Sequence, residues 1–214
     1  MCTKIAHSGV IFIRSSLLFA TGCQIAGPSL HRPGRREHGP MQNILPGIRL
    51  LCADVDGSLC GPLLSYGQAA DAAAAGHEVT KSFHVRDGHR MVYARSQGLQ
   101  IGLCSGRDSA PLRLRAQDLG LDPLLLGVRD KPAAMAEVLQ QRGLEWSQVA
   151  FLGDDYPDLP LIGKVACFFA PADAAPAIRR RADAVTLAAS DGGAFAEVIE
   201  TILRSQGTWP PQGL

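Results

Sequence analysis

The stretch Leu50-Leu51-Cys52-Ala53-Asp54-Val55-Asp56-Gly57 decides the fold. Four apolar residues run into two acids and a glycine. The run reads as a short buried strand with Asp54 and Asp56 at its carboxyl end. Residues two apart on a strand share a face. Both acids are therefore expected to face one point in the crevice beyond the sheet edge. Two carboxylates that close repel unless a cation or a shared proton relieves them. A hard divalent ion such as Mg²⁺ takes oxygen ligands of this kind.

Outward from this stretch the chain alternates. Strands are expected over 48–54, 99–104, 124–126, 149–152 and 166–169, with a last edge strand over 184–186. Helices are expected over 88–97, 109–119, 132–142 and 174–181, with a brief one ending at Ile162. A final helix carries Phe195, Val198, Ile199, Ile202 and Leu203 on one face. Strands alternating with helices predict an α/β, Rossmann-like domain, its parallel sheet covered on both faces. The irregular stretch 58–83, with an alanine run over 69–76, reads as a hairpin or flap projecting from the first strand's end. An alanine-rich helical turn is the competing reading. His84 to Gly88 is expected to be a loop.

The chain has 214 residues, enough for one domain with a full core plus an appendage. Its 21 basic and 20 acidic residues leave a net charge of +1 and no electrostatic case for nucleic acid or an anionic membrane. None of the six cysteines forms a CxxC pair, so no zinc site is expected. Cys52, Cys104 and Cys167 lie in apolar runs and read as core residues. That usage points to a reducing, cytoplasmic compartment. Residues 1–45 differ from the rest. Their apolar patch is too short and broken for a membrane span. Lys4 and Ala20-Thr21-Gly22-Cys23 share features with a secretory or lipoprotein signal. The preferred reading is a disordered or mis-started extension, with the domain over 46–205 and a flexible tail over 206–214.

Four strand ends carry polar residues: Asp54-Val55-Asp56-Gly57, Ser105-Gly106-Arg107, Gly127 with Lys131-Pro132, and Gly153-Asp154-Asp155-Tyr156-Pro157-Asp158. All four should converge on one crevice. A carboxylate beside a carboxylate-held metal suits attack on a phosphoryl group, because the metal offsets their mutual repulsion. A hydroxyl and a backbone amide after the second strand can hold phosphate oxygens, and a lysine can balance charge. An acid two residues from the nucleophile is placed to protonate the leaving alcohol and later to deprotonate water.

This arrangement resembles the haloacid dehalogenase superfamily of aspartate-nucleophile phosphatases. The resemblance implies Asp54 as nucleophile, Asp56 as general acid/base, Ser105 and Gly106 as phosphate binders and Lys131 as the balancing lysine. It also implies Asp54, Asp56 and Asp154 around Mg²⁺, with Asp155 and Asp158 behind them. Phe83-His84-Val85-Arg86-Asp87-Gly88, Gly106-Arg107-x-Ser109, Arg115 before Leu119-Gly120, and Ala182-Asp183-Ala184-Val185-Thr186 narrow it further. They are similar to the 3-deoxy-D-manno-octulosonate 8-phosphate (KDO 8-phosphate) phosphatases. Those enzymes use Mg²⁺ on an eight-carbon keto sugar acid phosphate on the way to lipopolysaccharide. They have a small hairpin flap instead of a large cap and assemble as tetramers. The resemblance implies that His84, Val85, Arg86, Asp87, Gly88, Arg107 and Arg115 bind substrate.

Departures bear on the substrate. Asp87-Gly88-His89-Arg90-Met91-Val92 replaces the usual Asp-Gly-x-Gly-Ile-Arg, and Arg90 is a candidate to supply the lost charge from another angle. Ala196 stands where an arginine is usual, and Ser58 where Val or Thr is usual. The same chemistry on a nine-carbon sialic-type acid phosphate is the alternative. A non-catalytic oligomerisation or regulatory domain is the rival from another class, opposed by the intact set of acids and Lys131.

Overall fold

The computed structural model describes residues 41–68 and 77–209. The extension 1–40, the alanine run 69–76 and residues 210–214 lie outside them, with the expectations made for those stretches. In chain order the elements are α1 (Met41–Ile44), β1 (Leu50–Ala53), β2 (Ser65–Gln68), β3 (His77–Thr80), α2 (Val85–Ser96), β4 (Gln100–Ser105), α3 (Ala110–Leu119) and β5 (Leu124–Leu126). There follow α4 (Lys131–Arg142), β6 (Val149–Leu152), β7 (Cys167–Ala170), α5 (Pro176–Arg179), β8 (Ala184–Val185) and α6 (Ala194–Ser205).

Six strands form one sheet in the order β5-β4-β1-β6-β7-β8, every pairing parallel. β1 lies between β4 and β6, with Cys52 opposite Gly102 on one side and Phe151 on the other. The strand end bearing Asp54 therefore sits at the centre. Chain leaving β1 continues to the β4 side and chain leaving β6 to the β7 side, which opens a crevice between them.

Alternate residues of the apolar runs feed two separate cores, as a sheet covered on both faces requires. Leu51, Ala53, Leu103 and Leu152 pack with Met91 of α2, Leu112 of α3 and Phe195 and Ile199 of α6. Leu50, Cys52, Phe151 and Phe168 pack with Met135 and Leu139 of α4 and Ile178 of α5. The expected cysteines Cys52, Cys104 and Cys167 are free and buried in these layers.

Three boundaries differ from expectation. α2 begins at Val85 rather than 88. His84 caps it, its Nδ1 accepting from the Arg86 amide at 3.2 Å, so 85–88 is helix rather than loop. α5 is one turn, shorter than the expected 174–181. Asp173 before it is occupied with the Ser190 amide at 2.9 Å and hydroxyl at 2.8 Å. Past Gln206, Thr208 and Trp209 dock rather than trail. Tyr93 Oη donates to the Thr208 carbonyl at 2.8 Å, and the Tyr93 and Trp209 rings meet edge-on at 5.7 Å.

The hairpin is formed by β2 and β3, antiparallel, with Tyr66 opposite Val79. No helix among the described residues is long and apolar enough to cross a membrane.

Candidate active site

Beyond β1 the backbone turns tightly. The Val55 carbonyl accepts from the amides of Ser58 (3.3 Å), Leu59 (2.9 Å) and Cys60 (2.9 Å). Gly57 holds φ +88°, and a Cβ there would collide with the Asp154 carboxylate. Only glycine meets both demands. The turn thus brings the end of β1 against the end of β6.

Lys131 is the pivot. It opens α4, is 2% exposed, and places Nζ 3.0 Å from Asp54 Oδ1 and 2.6 Å from Asp158 Oδ1. Burial alone would lower the lysine's pKa, but the adjacent Asp54 and Asp158 charges outweigh it and raise the pKa. Asp158 is fully buried, and its Oδ2 accepts from the amides of Asp154 at 3.0 Å and Asp155 at 3.4 Å. A Cβ on Gly153 would stand 2.7 Å from the Asp158 Cγ, so that carboxylate fits only because residue 153 is glycine. Asp155 itself is exposed.

Oxygens of Asp54, Asp154 and Asp158 lie within 4.8 Å of one another. Three carboxylates thus cluster where one ammonium pairs with two of them. Burial pushes Asp54 up to about 6, against the pull of Lys131. Burial, then the Asp54 charge, pushes Asp154 up to about 7. These acids lack positive charge, and their oxygens suit a hard divalent cation. Asp158 is largely committed to Lys131 and two amides, which leaves Asp54 and Asp154 as the carboxylates best placed to hold one.

Asp56 stands apart from this cluster. It forms an ion pair with Lys81, whose side chain is 2% exposed at the foot of the hairpin. Its Oδ2 lies 3.8 Å from Arg107 Nε. Cys60 Sγ lies 3.6 Å from Asp56 Oδ1, and burial pushes the thiol up to about 12. Ser105 is buried at the end of β4, its Oγ accepting from the Arg107 amide at 3.2 Å, with Gly106 exposed beside it. Arg107 also reaches Tyr66 Oη at 3.4 Å, which links the β4 end to the hairpin. Leu64, Tyr66, Val79, Lys81, Arg107 and Ser109 line a cavity of about 250 Å³ there.

Comparison with known proteins bears on this geometry. No protein-family model matches the chain. It is 37% identical over 167 residues to the 3-deoxy-D-manno-octulosonate 8-phosphate phosphatase KdsC of Haemophilus influenzae, covering 78% of this chain and 89% of that one. A probable YrbI family phosphatase from Pseudomonas syringae superposes with a TM-score of 0.74 at 33% identity, over 79% of this chain and 92% of that one. The KDO 8-phosphate phosphatase of Moraxella catarrhalis, solved with magnesium, phosphate and KDO, superposes with a TM-score of 0.73 at 28% identity, over 79% and 93%. The chain belongs to the KDO 8-phosphate phosphatase family. It is an α/β phosphatase of the haloacid dehalogenase superfamily.

Measured against that family's motifs, the structure gathers Asp54, Asp56, Ser105, Gly106, Arg107, Lys131, Asp154 and Asp158 at adjoining strand ends. It ties much of the 83–88 stretch elsewhere. Asp87 is 1% exposed and accepts from the Ala196 amide at 2.7 Å, capping α6 where Gly193 has no side chain to do so. Gly88 is buried beneath the Arg115 guanidinium, which lies 5.7 Å from the Phe83 ring. Val85 and Arg86 are exposed. Arg90 does not replace the family's missing arginine in the crevice. Its Nε meets Glu200 at 2.8 Å and its guanidinium lies 4.8 Å from the Trp209 ring. Lys81 was absent from the sequence reading. Its only signal was a lone lysine two residues before Phe83, in a stretch read as irregular.

Proposed function

We propose that this phosphatase is a Mg²⁺-dependent phosphomonoesterase of 3-deoxy-D-manno-octulosonate 8-phosphate. The observation that supports it most is the cluster of Asp54, Asp154 and Asp158, two of which pair with the buried ammonium of Lys131. Asp54 attacks phosphorus while the bond to the sugar oxygen breaks, giving an aspartyl-phosphate. Asp56 gives its proton to the leaving alcohol and then takes one from the water that releases phosphate. The Ser105 hydroxyl and Gly106 amide hold phosphate oxygens, and Lys131 offsets their charge. Asp54, Asp56 and Asp154 would hold Mg²⁺, which would offset the repulsion between carboxylate and phosphate. Asp155 and Asp158 brace that set.

The sugar acid fits the cavity beneath the hairpin, where Arg107 and Lys81 offer positive charge to its carboxylate. Val85, Arg86 and Arg115 lie on the α2 and α3 side, with His84, Asp87 and Gly88 shaping the turn that presents them. The family resemblance extends the proposal to a cytoplasmic tetramer whose hairpins close neighbouring sites, acting on the way to lipopolysaccharide.

The test is phosphate release from KDO 8-phosphate with Mg²⁺, with a chelator, and with Asp54→Asn. The native chain should turn over only with Mg²⁺, and the variant should lose about 10³-fold or more in kcat. Full turnover by Asp54→Asn would overturn the mechanism. Preference for a nine-carbon acid phosphate would move the substrate and leave the chemistry.

A further inference from the structure

The turn after β1 carries a residue that none of the roles above uses. Ser58 is fully buried, and its Oγ donates to Asp154 Oδ1 at 2.9 Å across 96 positions of sequence. Its hydroxyl is held in place because the Ser58 amide is itself bonded to the Val55 carbonyl at 3.3 Å. Gly57 beside it lacks the Cβ that would displace the Asp154 carboxylate. Ser58 and Gly57 together therefore fix the rotamer of that carboxylate. Among the described residues no side chain donates to Asp154 Oδ2.

We propose that Ser58 is a positioning residue that makes Asp154 a one-oxygen metal ligand and so biases the site toward Mg²⁺ over Ca²⁺. The inference rests on the reading of Asp154 as a metal ligand. Its physical basis is the difference between the two ions. Ca²⁺ takes more oxygens and accepts both atoms of one carboxylate, whereas Mg²⁺ demands six regularly spaced ligands and takes one oxygen from each acid. A hydroxyl that donates to Oδ1 fixes the carboxylate and makes that oxygen the weaker ligand, which favours binding through one oxygen. Residues that orient a ligand in this way commonly change metal affinity about 10–100-fold when removed. Valine or alanine at this position would leave Oδ1 open, and the carboxylate would be free to swing or to bind with both oxygens.

The test is calorimetric titration of the full chain with Mg²⁺ and with Ca²⁺ in the native protein, Ser58→Ala, Ser58→Val and Ser58→Thr. Thermal unfolding without metal confirms that each variant is folded. Ser58→Val keeps the site filled, so a loss shared with Ser58→Ala comes from the hydroxyl and not from a void. Both should bind Mg²⁺ about tenfold more weakly and discriminate less against Ca²⁺, while Ser58→Thr, which keeps the donor, should retain native affinity within about threefold. Native affinity and selectivity in the Ala and Val variants would overturn the inference and leave the metal site standing. Equal losses in all three variants, threonine included, would overturn it as a packing effect. A native chain that takes up no Mg²⁺ would overturn the metal site and the inference together.

Discussion

The crevice beyond β1 and the turn that opens α2 both carry motif residues, and the chain builds them differently. Around Lys131 the ionic groups are buried or partly buried and paired: Lys131 meets two carboxylates, and Asp158 meets one ammonium and two amides. At the opening of α2 the buried acid, Asp87, serves the neighbouring helix, while the cations Arg86 there and Arg107 at the end of β4 are exposed. The first arrangement fixes geometry before substrate arrives, which suits transition-state stabilisation. The second leaves charged side chains exposed to an arriving ligand. Altering the first should therefore change kcat and stability, and altering the second should change KM.

The largest effect is expected at the pivot. Lys131→Met should lower kcat about 10³-fold. It should also destabilise the fold by about 3 kcal/mol, because buried Asp158 and partly buried Asp54 lose their partner. Steady-state kinetics and urea unfolding measure both. A full loss of activity with unchanged stability would mean that Asp158 is less dependent on the ammonium than its burial implies. Arg107 supplies the contrast. Its side chain is 57% exposed. Arg107→Ala should raise KM for the sugar acid phosphate roughly tenfold, keep kcat within about threefold and leave the unfolding midpoint unchanged. A kcat loss as deep as that of Lys131→Met would erase the distinction between the two regions.

The smallest effect is a pH slope at Asp87. Burial raises this carboxyl to about 6, against the pull of the Ala196 amide and nearby cations. The folded chain then keeps a proton that the unfolded chain releases, so stability falls as pH rises from about 4 to about 6. Below that window both states hold the proton and the effect vanishes. Asp87→Asn has no proton to lose and keeps an acceptor for Ala196. Its stability relative to native should rise across the same window and level off above it, by about 2 kcal/mol. Parallel unfolding curves at pH 4 and pH 7 would show that Asp87 is ionised at little cost.

The central sheet was legible because each buried strand is a run of apolar residues ended by polar ones, a pattern set by covering both faces. β5 and β6 fall where the pattern placed them, and the four polar strand ends meet because parallel strands end on one side. The start of α2 was not legible. Its cap is the His84 ring, and Asp87 is held by a helix that begins more than a hundred residues later. Lys81 was missed for the same reason, since its pairing with Asp56 exists only once the hairpin folds back over the β1 end. Arg90 was misplaced because Trp209, which draws it away from the crevice, looked like part of a loose tail. Periodicity reports burial on one element, and each of these depends on two elements meeting.

The most direct measurement is to stop turnover of radiolabelled KDO 8-phosphate with acid in the presence of Mg²⁺ and to map where phosphate is attached. Label is expected on the peptide containing Asp54 and should disappear in Asp54→Asn. Label on a peptide carrying Asp154 instead, or steady hydrolysis with no phosphorylated chain at any quench time, would contradict Asp54 as the nucleophile.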